Sequence, residues 1–417
     1  MKRIFLLSSI LLSLTGCGGE SNSNPSAPDD RFGVVPLHSG PNSSTILTDI
    51  SRSGYTSVSE VPADVHNLSV PAHAGPNKTW QEQTALSDDF QYTFNPTAHQ
   101  TDFGEGRWYN FYHSDWDGPG STYWQHDHVA VKDGYLQFSV SRSDRDDKQG
   151  KPGVNAGCIS SNNQVVFPVF VEASVSMSDI SLAAAVWLLS PDDTQEIDIL
   201  EAYAGGGNGN NYFSKFIHLS HHSFIRNPFT DYQPKDVNSW WRGSTDAHHL
   251  GGHESWGAHS WNNGDRQFVQ IGVNWVNEYH FEYYINGELV RVLYNNAFAT
   301  KMYDGTGWTW TYSYPKLDSH NELLMENGYQ AVHIYKQNRQ DFNFSDLEAA
   351  SNLSPASVID PYGYQGGKGF YKPMDIIVNN ELQSWWTFDP TDDDLADTSG
   401  KSTMLVDWIR VFKPTQE

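Results

Sequence analysis

The sequence predicts an all-β fold, a sandwich or a jelly roll, and three observations lead to that prediction. Short apolar or alternating runs fill the chain from about residue 68 onward, separated by Gly, Asn, Asp and Pro. Long helical periodicity is scarce. An Asn286-Gly287 pair follows the run 281–285, and Asn-Gly after a strand is a strong hairpin signal. Many strands with closely spaced turns are typical of these two architectures.

Individual strands are predicted from the same patterns. The runs 134–141 and 165–175 read as strands, and 404–412 reads as a C-terminal strand. The segment 183–201 begins as an apolar strand and ends with acidic and aliphatic residues interleaved. One continuous domain over residues 68–415 is the simplest division of the chain.

Composition excludes several classes of protein. The 417 residues include 50 acidic and 26 basic side chains, for a net charge of −24, which excludes nucleic-acid binding through a basic surface. Aromatic residues make up 14% of the chain, so most of it is expected to fold. With only Cys17 and Cys158, a disulfide framework and a four-cysteine zinc site are both excluded.

The first residues predict export. A positive start, Lys2-Arg3, precedes the apolar run 4–14, which is too short and wrongly flanked for a spanning helix. Cys17 follows directly, and the arrangement resembles a bacterial lipoprotein signal, in which the cysteine becomes the lipid-carrying N-terminus. Gly18 after the cysteine favours the outer membrane. The alternative is a plain signal peptide with an incidental cysteine.

These signals divide the N-terminal part of the chain into three segments. Residues 1–16 are interpreted as the signal peptide and 17–31, which are polar and without periodicity, as a flexible tether. The pattern of 32–67 is weak and its structure stays open. Lipid on Cys17 would hold the protein at the membrane without spanning it.

Three acidic residues carry the chemistry. On a regular strand Glu196 and Asp198 share a face, whereas Glu201 points the other way. A β-bulge at Ile199-Leu200 would bring Glu201 back to the first face. Like charges on one face destabilise a purely structural strand, but retaining glycoside hydrolysis needs two neighbouring carboxyl groups. The structural alternatives are a solvated acidic edge or a calcium-binding face.

The segment Glu196-Ile-Asp198-Ile-Leu-Glu201 resembles the bulged E-x-D-x-x-E signature of glycoside hydrolase family 16, whose members are jelly-roll enzymes that cleave β-linked polysaccharides with retention. Further segments resemble its β-agarase branch, and they occur in family order at 116–128, 187–196, 218–234, 372–381 and 406–411. The resemblance implies two antiparallel sheets with an open substrate cleft on the concave face. It implies that Glu196 is the nucleophile, Glu201 the acid and base, and Asp198 the residue that steadies the charge of Glu196.

The resemblance also implies substrate-binding residues. Trp187 occupies the family position of a sugar-stacking ring, although a core tryptophan is the alternative. Trp116 and Trp124 flank a glycine-rich loop and are candidate sugar contacts, with core packing nearly as good an explanation for Trp124. The other candidates by resemblance are His222, Arg226 and Glu381, whereas Leu382 departs from the acidic residue expected after Glu381.

Two histidine groups and one aspartate raise the question of metals. A lone histidine cluster (His218, His221, His222) is weak support for zinc, and the His-rich stretch 244–257 reads as a solvated insertion, or alternatively as a lid. The family often carries a structural calcium held by the aspartate of its last strand, and Asp407 fits that position. No cofactor is expected for catalysis.

The leading hypothesis is a lipid-anchored, monomeric endo-β-agarase that cuts the β-1,4 bonds of agarose. A porphyranase or carrageenase of the same fold is the near alternative, and such enzymes would need more basic residues in the cleft. A non-catalytic polysaccharide-binding lipoprotein is the alternative of a different class. It has no need for three facing acids.

Overall fold

The computed structural model describes residues 69–205, 210, 213–236, 239–242, 261–262, 265–266, 268–303, 307–385 and 387–416. The predicted signal, tether and extension, with Cys17, lie outside the described residues, as does the His-rich stretch 244–257. In the part that is described, no helix has the length and apolar character needed to cross a membrane.

Strands dominate the first half of the described chain. In chain order they are β1 (Lys78–Glu82), β2 (Asp102–Phe103), β3 (Trp108–Tyr109), β4 (Thr122–Trp124), β5 (Val129–Lys132), β6 (Tyr135–Phe138), β7 (Val140–Arg142), β8 (Val154–Ala156), β9 (Cys158–Ser161), β10 (Val169–Ser176), β11 (Ala183–Leu189) and β12 (Gln195–Ala202). A 3-10 helix, His126–His128, precedes β5.

The second half continues as β13 (Phe216–His218), β14 (Ser220–Arg226), β15 (Phe229–Tyr232), β16 (Trp240–Arg242), β17 (Trp261–Asn262), β18 (Asp265–Arg266), β19 (Val269–Asn277), β20 (His280–Ile285), β21 (Glu288–Tyr294), β22 (Ala297–Tyr303), β23 (Trp308–Pro315), β24 (Met325–Glu326), β25 (Tyr329–Gln330), β26 (Val332–Arg339), β27 (Asp375–Glu381) and β28 (Met404–Gln416). Short helices occur at α1 (Phe344–Ser351) and α2 (Asp392–Leu395), and a 3-10 helix at Phe213–Lys215.

Two large antiparallel sheets form the body of the molecule. The back sheet has the order β26-β23-β22-β21-β20-β19-β10-β28-β6-β5, with β1 added against β28. The cleft sheet has the order β15-β14-β12-β11-β27-β9-β3-β2, with β13 pairing with β12 and with β16. This arrangement confirms the predicted two-sheet jelly roll.

Alternation along the strands builds the core between the sheets. On β11 the side chains of Ala184, Val186 and Leu188 enter the main apolar cluster, whereas Ala185 and Trp187 point to the opposite face. That opposite face packs on a second, smaller cluster beneath the cleft. The predicted hairpin is present, because Asn286 and Gly287 adopt φ values of 49° and 73°, which a tight turn between twisted strands requires.

One bulge in the cleft sheet fixes the functional face. Val186 pairs with Leu200, but the next residue, Trp187, pairs with Asp198, so Ile199 is an extra residue in β12. Both Ile199 and Leu200 lie in the main core. The shift returns the following glutamate to the face that carries Glu196 and Asp198.

Candidate active site

An open cleft of about 720 Å³ lies over the cleft sheet. Its floor comes from β11, β12, β14 and β27, and its rim comes from the loops before β4 and after β27. Glu196, Asp198 and Glu201 all line it, so the bulge predicted from the sequence brings the three carboxyl groups to one face.

Glu201 is held by two neighbours. His218 Nδ1 lies 2.6 Å from Glu201 Oε2, and the Tyr203 hydroxyl lies 2.6 Å from Glu201 Oε1. Burial alone would raise the pKa of Glu201, but the charge and hydrogen bond of His218, with the hydrogen bond of Tyr203, lower it overall. The ionised form of this glutamate is therefore well solvated by the protein.

Glu196 and Asp198 share one histidine. His222 Nε2 lies 3.8 Å from Glu196 Oε1 and 3.6 Å from Asp198 Oδ2, while His222 Nδ1 lies 2.9 Å from Asp231 Oδ1. Burial raises the pKa of Glu196 well above its ordinary value and that of Asp198 to about 6, with His222 opposing both shifts. Although burial alone would lower it, Asp231 and Glu196 raise the pKa of His222 to about 10. A cation thus sits between the two acids.

The structure places two of the three predicted tryptophans in the cleft and the third outside it. Trp187 lines the cleft from β11, although only 8% of it is exposed, and its Nε1 donates to Asn379 Oδ1 at 2.7 Å. Trp116 also lines the cleft and is 44% exposed. Trp124 is 2% exposed and packs in the apolar cluster beneath the cleft, which corrects its assignment as a sugar contact. The pairing of β4 with β8 places the ring in that cluster.

The remaining predicted contacts reach the cleft. Arg226 lines it, and its Nε donates to the carbonyl oxygen of Asp193. Glu381 lines it from the end of β27, where Asn379 Nδ2 donates to Oε2 at 2.9 Å and Gln383 Nε2 donates to Oε1 at 2.5 Å. Burial raises the pKa of Glu381 to about 8.

His113, a histidine beside the cleft residues Tyr112 and Asp193, was not predicted from the sequence. His113 Nε2 lies 2.7 Å from Asp193 Oδ1, and its Nδ1 lies 2.8 Å from Asp375 Oδ2. Asp193 also accepts from the Tyr112 hydroxyl at 3.2 Å, and the Tyr112 ring stacks on Trp187 at 6.1 Å. No sequence signal joins these residues, since they come from three separate segments.

The histidine cluster does not form a metal site of its own. His221 lies in the core, where its Nε2 faces the carbonyl oxygen of Ile359 at 2.9 Å and burial lowers its pKa to about 3. His218 and His222 face the cleft on separate strands and contact different carboxyl groups. Ligand atoms of Glu196, Asp198 and His222 do lie within 4.8 Å of one another. The contact with Asp231 and the raised pKa of His222 favour its imidazolium form, which has no lone pair to offer a metal ion.

Asp407 lies away from the cleft, on β28 of the back sheet. It is fully buried, and neither carboxylate oxygen has a hydrogen-bond partner among the described residues. Burial, with a smaller contribution from Asp89, raises its pKa to about 8. Two orphaned oxygens in the interior fit the donor set that calcium prefers.

Comparison with known proteins agrees with this geometry. Residues 80–327 match the family model described as "Beta-porphyranase A-D, GH16 domain". Beta-agarase D of Zobellia galactanivorans is 43% identical over 380 residues, covering 84% of this chain and 74% of that protein. A beta-agarase of Phocaeicola plebeius is 36% identical, covering 82% of this chain and 88% of that protein.

Solved structures give the same result. The catalytic domain of beta-agarase D from Zobellia galactanivorans has a TM-score of 0.73 at 44% identity, covering 84% of this chain and 99% of that one. An inactivated mutant beta-agarase B in complex with agaro-octaose has a TM-score of 0.58 at 33% identity, covering 85% and 100%. The chain belongs to glycoside hydrolase family 16.

Proposed function

We propose that the protein is an endo-acting, retaining β-agarase that hydrolyses internal β-1,4 bonds of agarose. The observation that carries the proposal is the bulged β12, which presents Glu196, Asp198 and Glu201 to an open cleft. Similarity to β-agarases over more than four-fifths of the chain supports the choice of substrate.

The first chemical step forms a glycosyl-enzyme. The Glu196 carboxylate attacks the anomeric carbon, the bond from that carbon to the leaving oxygen breaks, and Glu201 gives its proton to that oxygen. In the second step ionised Glu201 takes a proton from water, whose oxygen attacks the anomeric carbon and releases Glu196. Two inversions leave the configuration unchanged.

His222 and Asp198 prepare the nucleophile. Glu196 must be ionised to attack, but burial raises its pKa. The His222 imidazolium, oriented by Asp231, lies 3.8 Å from Glu196 and offsets part of that cost. Asp198 shares this cation at 3.6 Å, so it influences Glu196 through His222.

The charges in the cleft favour a neutral polymer over a sulfated one. Acidic lining residues are Asp193, Glu196, Asp198, Glu201, Asp231 and Glu381. Of the basic lining residues, Lys148 Nζ is held at 2.7 Å by Asp117 and by the carbonyl oxygens of Gly118 and Thr122. Arg226 donates to the Asp193 carbonyl oxygen. Porphyran and carrageenan carry sulfate, which this surface would repel.

Product analysis tests the proposal. Wild type should release oligosaccharides of falling size from agarose, with β-anomers first, and much less from porphyran or κ-carrageenan. Preferential release from a sulfated polymer would instead support the porphyranase or carrageenase alternative. Tight binding to agarose without any cleavage would support a non-catalytic binding protein.

We also propose a structural calcium at Asp407, supported by its buried, unpartnered oxygens and by the neighbouring acid Asp89. A divalent cation there would neutralise a charge that burial otherwise makes costly. Metal analysis of the purified protein, and its melting temperature with calcium or with chelator, test this.

We further propose, from the sequence, export as an outer-membrane lipoprotein anchored through Cys17. The expectation that it acts as a monomer stays a prediction. Mass spectrometry of the mature N-terminus would detect the acyl chains. Replacement of Cys17 by Ser should release the protein from the membrane fraction, and light scattering would report its oligomeric state.

A further inference from the structure

A continuous run of side chains, all buried except the half-buried Gln383, joins the sugar-stacking ring to the acid/base. Each neighbour in the run lies at hydrogen-bond distance, between 2.5 and 2.9 Å. All its members lie in or under the cleft, between β11, β12 and β27. In order they are Trp187, Asn379, Glu381, Gln383, Tyr203 and Glu201. We call this run the acid chain.

The direction of the hydrogen bonds is fixed at one end of the acid chain. Trp187 Nε1 can only donate, so the Asn379 atom that faces it is the amide oxygen. The Asn379 amide nitrogen therefore faces Glu381 and donates to Oε2. Only the other oxygen of Glu381 is left to contact Gln383.

At the other end, Tyr203 has one proton for two neighbours. Its hydroxyl oxygen lies 2.6 Å from Glu201 Oε1 and 2.7 Å from Gln383 Oε1. A hydroxyl donates once. If both carboxyl groups were ionised, one of the close oxygen–oxygen contacts of the acid chain would contain no hydrogen, which is strongly unfavourable.

Two arrangements satisfy every contact with a single added proton. In the first, protonated Glu201 donates to Tyr203, Tyr203 donates to the Gln383 oxygen, and the Gln383 amide donates to ionised Glu381. In the second, protonated Glu381 donates to the Gln383 oxygen with the amide turned over, that amide donates to Tyr203, and Tyr203 donates to ionised Glu201. Turning an amide over exchanges two atoms of nearly equal size.

We infer that Glu201 and Glu381 share one proton through Tyr203 and Gln383, and that this sharing sets whether Glu201 is ready to act as the acid. The inference rests on the proposed function, because it assigns Glu201 the acid role. Tyr203 and Gln383 are positioning residues, since they act through Glu201.

The surrounding charges favour the second arrangement in the free enzyme. Burial raises the pKa of Glu381 to about 8, whereas His218 and Tyr203 hold that of Glu201 low. The other titratable groups facing the two carboxyl groups are Asp198, Glu196 and His222, together with Cys158, whose thiol stays neutral because burial raises its pKa.

Substrate would reverse that preference. Glu381 lines the cleft, and a sugar hydroxyl that donates to it stabilises its ionised form. The proton then belongs on Glu201, where the first step needs it. Binding in the cleft thus couples to readiness for proton transfer.

The alkaline limb of the pH profile of kcat/KM tests this, because that limb reports the free enzyme, in which the Glu201–Glu381 pair loses its shared proton. Glu381→Gln holds the acid chain in the second arrangement, in which Tyr203 donates to ionised Glu201. The pKa of Glu201 should therefore fall, and the alkaline limb should move about one unit to lower pH. Tyr203→Phe removes a donor to ionised Glu201, so the limb should move the opposite way. The inference would be overturned if neither variant shifted the alkaline limb, or if both variants shifted it in the same direction.

A double-mutant cycle isolates the connection. In a Gln383→Leu background the link is cut, so adding Glu381→Gln should shift the limb by much less than it does in wild type. Equal shifts in both backgrounds would contradict the sharing. Tyr283→Phe is the matched control, because its buried hydroxyl donates to the Ser220 carbonyl oxygen at 2.7 Å, outside the acid chain.

Two further measurements keep the test independent of the substrate assignment. The limbs can be measured on whichever galactan wild type cleaves, so failure on agarose alone would refute the proposed function and leave this inference standing. Infrared spectra of the full chain report protonated carboxyl groups without turnover. Glu381→Gln should remove one carboxyl band that wild type shows at neutral pH, and an unchanged band would argue against the sharing.

Discussion

The two sheets each contain a bulged strand with a buried acid, and they use it in opposite ways. In β12 the extra residue is Ile199, which enters the core and turns Glu201 toward the cleft. In β28 the extra residue is the acid itself. On the neighbouring strand β10, Ser174 pairs with Trp408 and Val175 pairs with Val406, so Asp407 has no counterpart. Glu201 has His218 and Tyr203 within 2.6 Å, whereas Asp407 has no partner among the described residues.

The difference shows what a bulge contributes and what it leaves to its surroundings. A bulge only re-aims a side chain. Donors from neighbouring strands and access to a cleft make Glu201 usable in acid–base chemistry, and both are lacking at Asp407. A buried carboxyl without donors stays protonated or takes a cation. The first site should therefore govern turnover and the second should govern stability.

The largest test of that contrast is removal of the cleft carboxylates. Glu196→Gln and Glu201→Gln should each lower kcat on agarose by about 10⁴-fold, because each variant loses a group that makes or breaks a bond in the transition state. Binding of agaro-oligosaccharides, measured by calorimetry, should persist. Both amides nearly match the native side chains in size, so melting temperatures should change little.

Asp407→Asn is the matched variant on the other strand, and its kcat should equal that of wild type well below the melting temperature. If Glu196→Gln kept normal hydrolysis, the nucleophile assignment would be wrong. If Asp407→Asn lowered kcat while remaining folded, the claim that Asp407 governs stability and not turnover would be wrong.

The next largest effect concerns a buried charge that does have partners. Although burial alone would lower it, the hydrogen bonds that His113 donates to Asp193 and Asp375 raise its pKa from 6.5 to about 9. Its stabilising contribution is therefore complete below pH 6.5 and is lost as the pH rises through about 9. His113→Gln should lower the free energy of unfolding by about 3 kcal/mol at pH 6.

Urea unfolding at pH 6 and at pH 9.5 checks this. The difference between wild type and His113→Gln should shrink at the higher pH. If the difference in free energy of unfolding did not change with pH, His113 would stabilise the cleft by packing alone. The charge of His113 would then contribute no stability through its two partners.

Calcium gives the third test, at Asp407. With the proposed cation bound only to the folded state, calcium at one hundred times its dissociation constant should add about 2.7 kcal/mol to the free energy of unfolding. Thermal unfolding with calcium and with chelator should differ for wild type and should coincide for Asp407→Asn. Without a cation, the raised pKa of Asp407 lowers the free energy of unfolding of wild type progressively between pH 3.8 and about pH 8. Asp407→Asn should then become the more stable protein as the pH rises.

The sequence predicted what depends on local patterning. Alternation on β12 and the spacing of Glu196, Asp198 and Glu201 indicated that a shared face needs a bulge, and the resemblance to the bulged family signature predicted that bulge. Tyr203 could have been found too, because it lies two residues after Glu201, directly past the end of β12. The family resemblance added Trp187, His222, Arg226 and Glu381, all of which line the cleft.

What the sequence could not supply are partners brought together by non-local pairing. Asp231 contacts His222 only because β15 folds back on β14, and Gln383 meets Tyr203 only because β11 brings β27 beside β12. Trp124 shows the reverse error. Its neighbourhood of glycines suggested a cleft loop, but the pairing of β4 with β8 places its ring in the apolar cluster. Burial of a single aromatic depends on which strands pair, and composition does not reveal that.

The smallest expected effect lies at the rim, away from both bulges. Trp116 is 44% exposed and contacts Tyr112 edge-on at 5.1 Å, so it can stack on a sugar without supporting the core. Trp116→Ala should raise KM for agarose about tenfold, which corresponds to about 1.4 kcal/mol of lost stacking, and leave kcat and the melting temperature close to wild type. Trp124→Ala is the paired control, since loss of that buried ring should lower stability by about 3 kcal/mol. A fall in kcat for Trp116→Ala without a change in KM would show that chemistry depends on the rim as well as on the bulged strand.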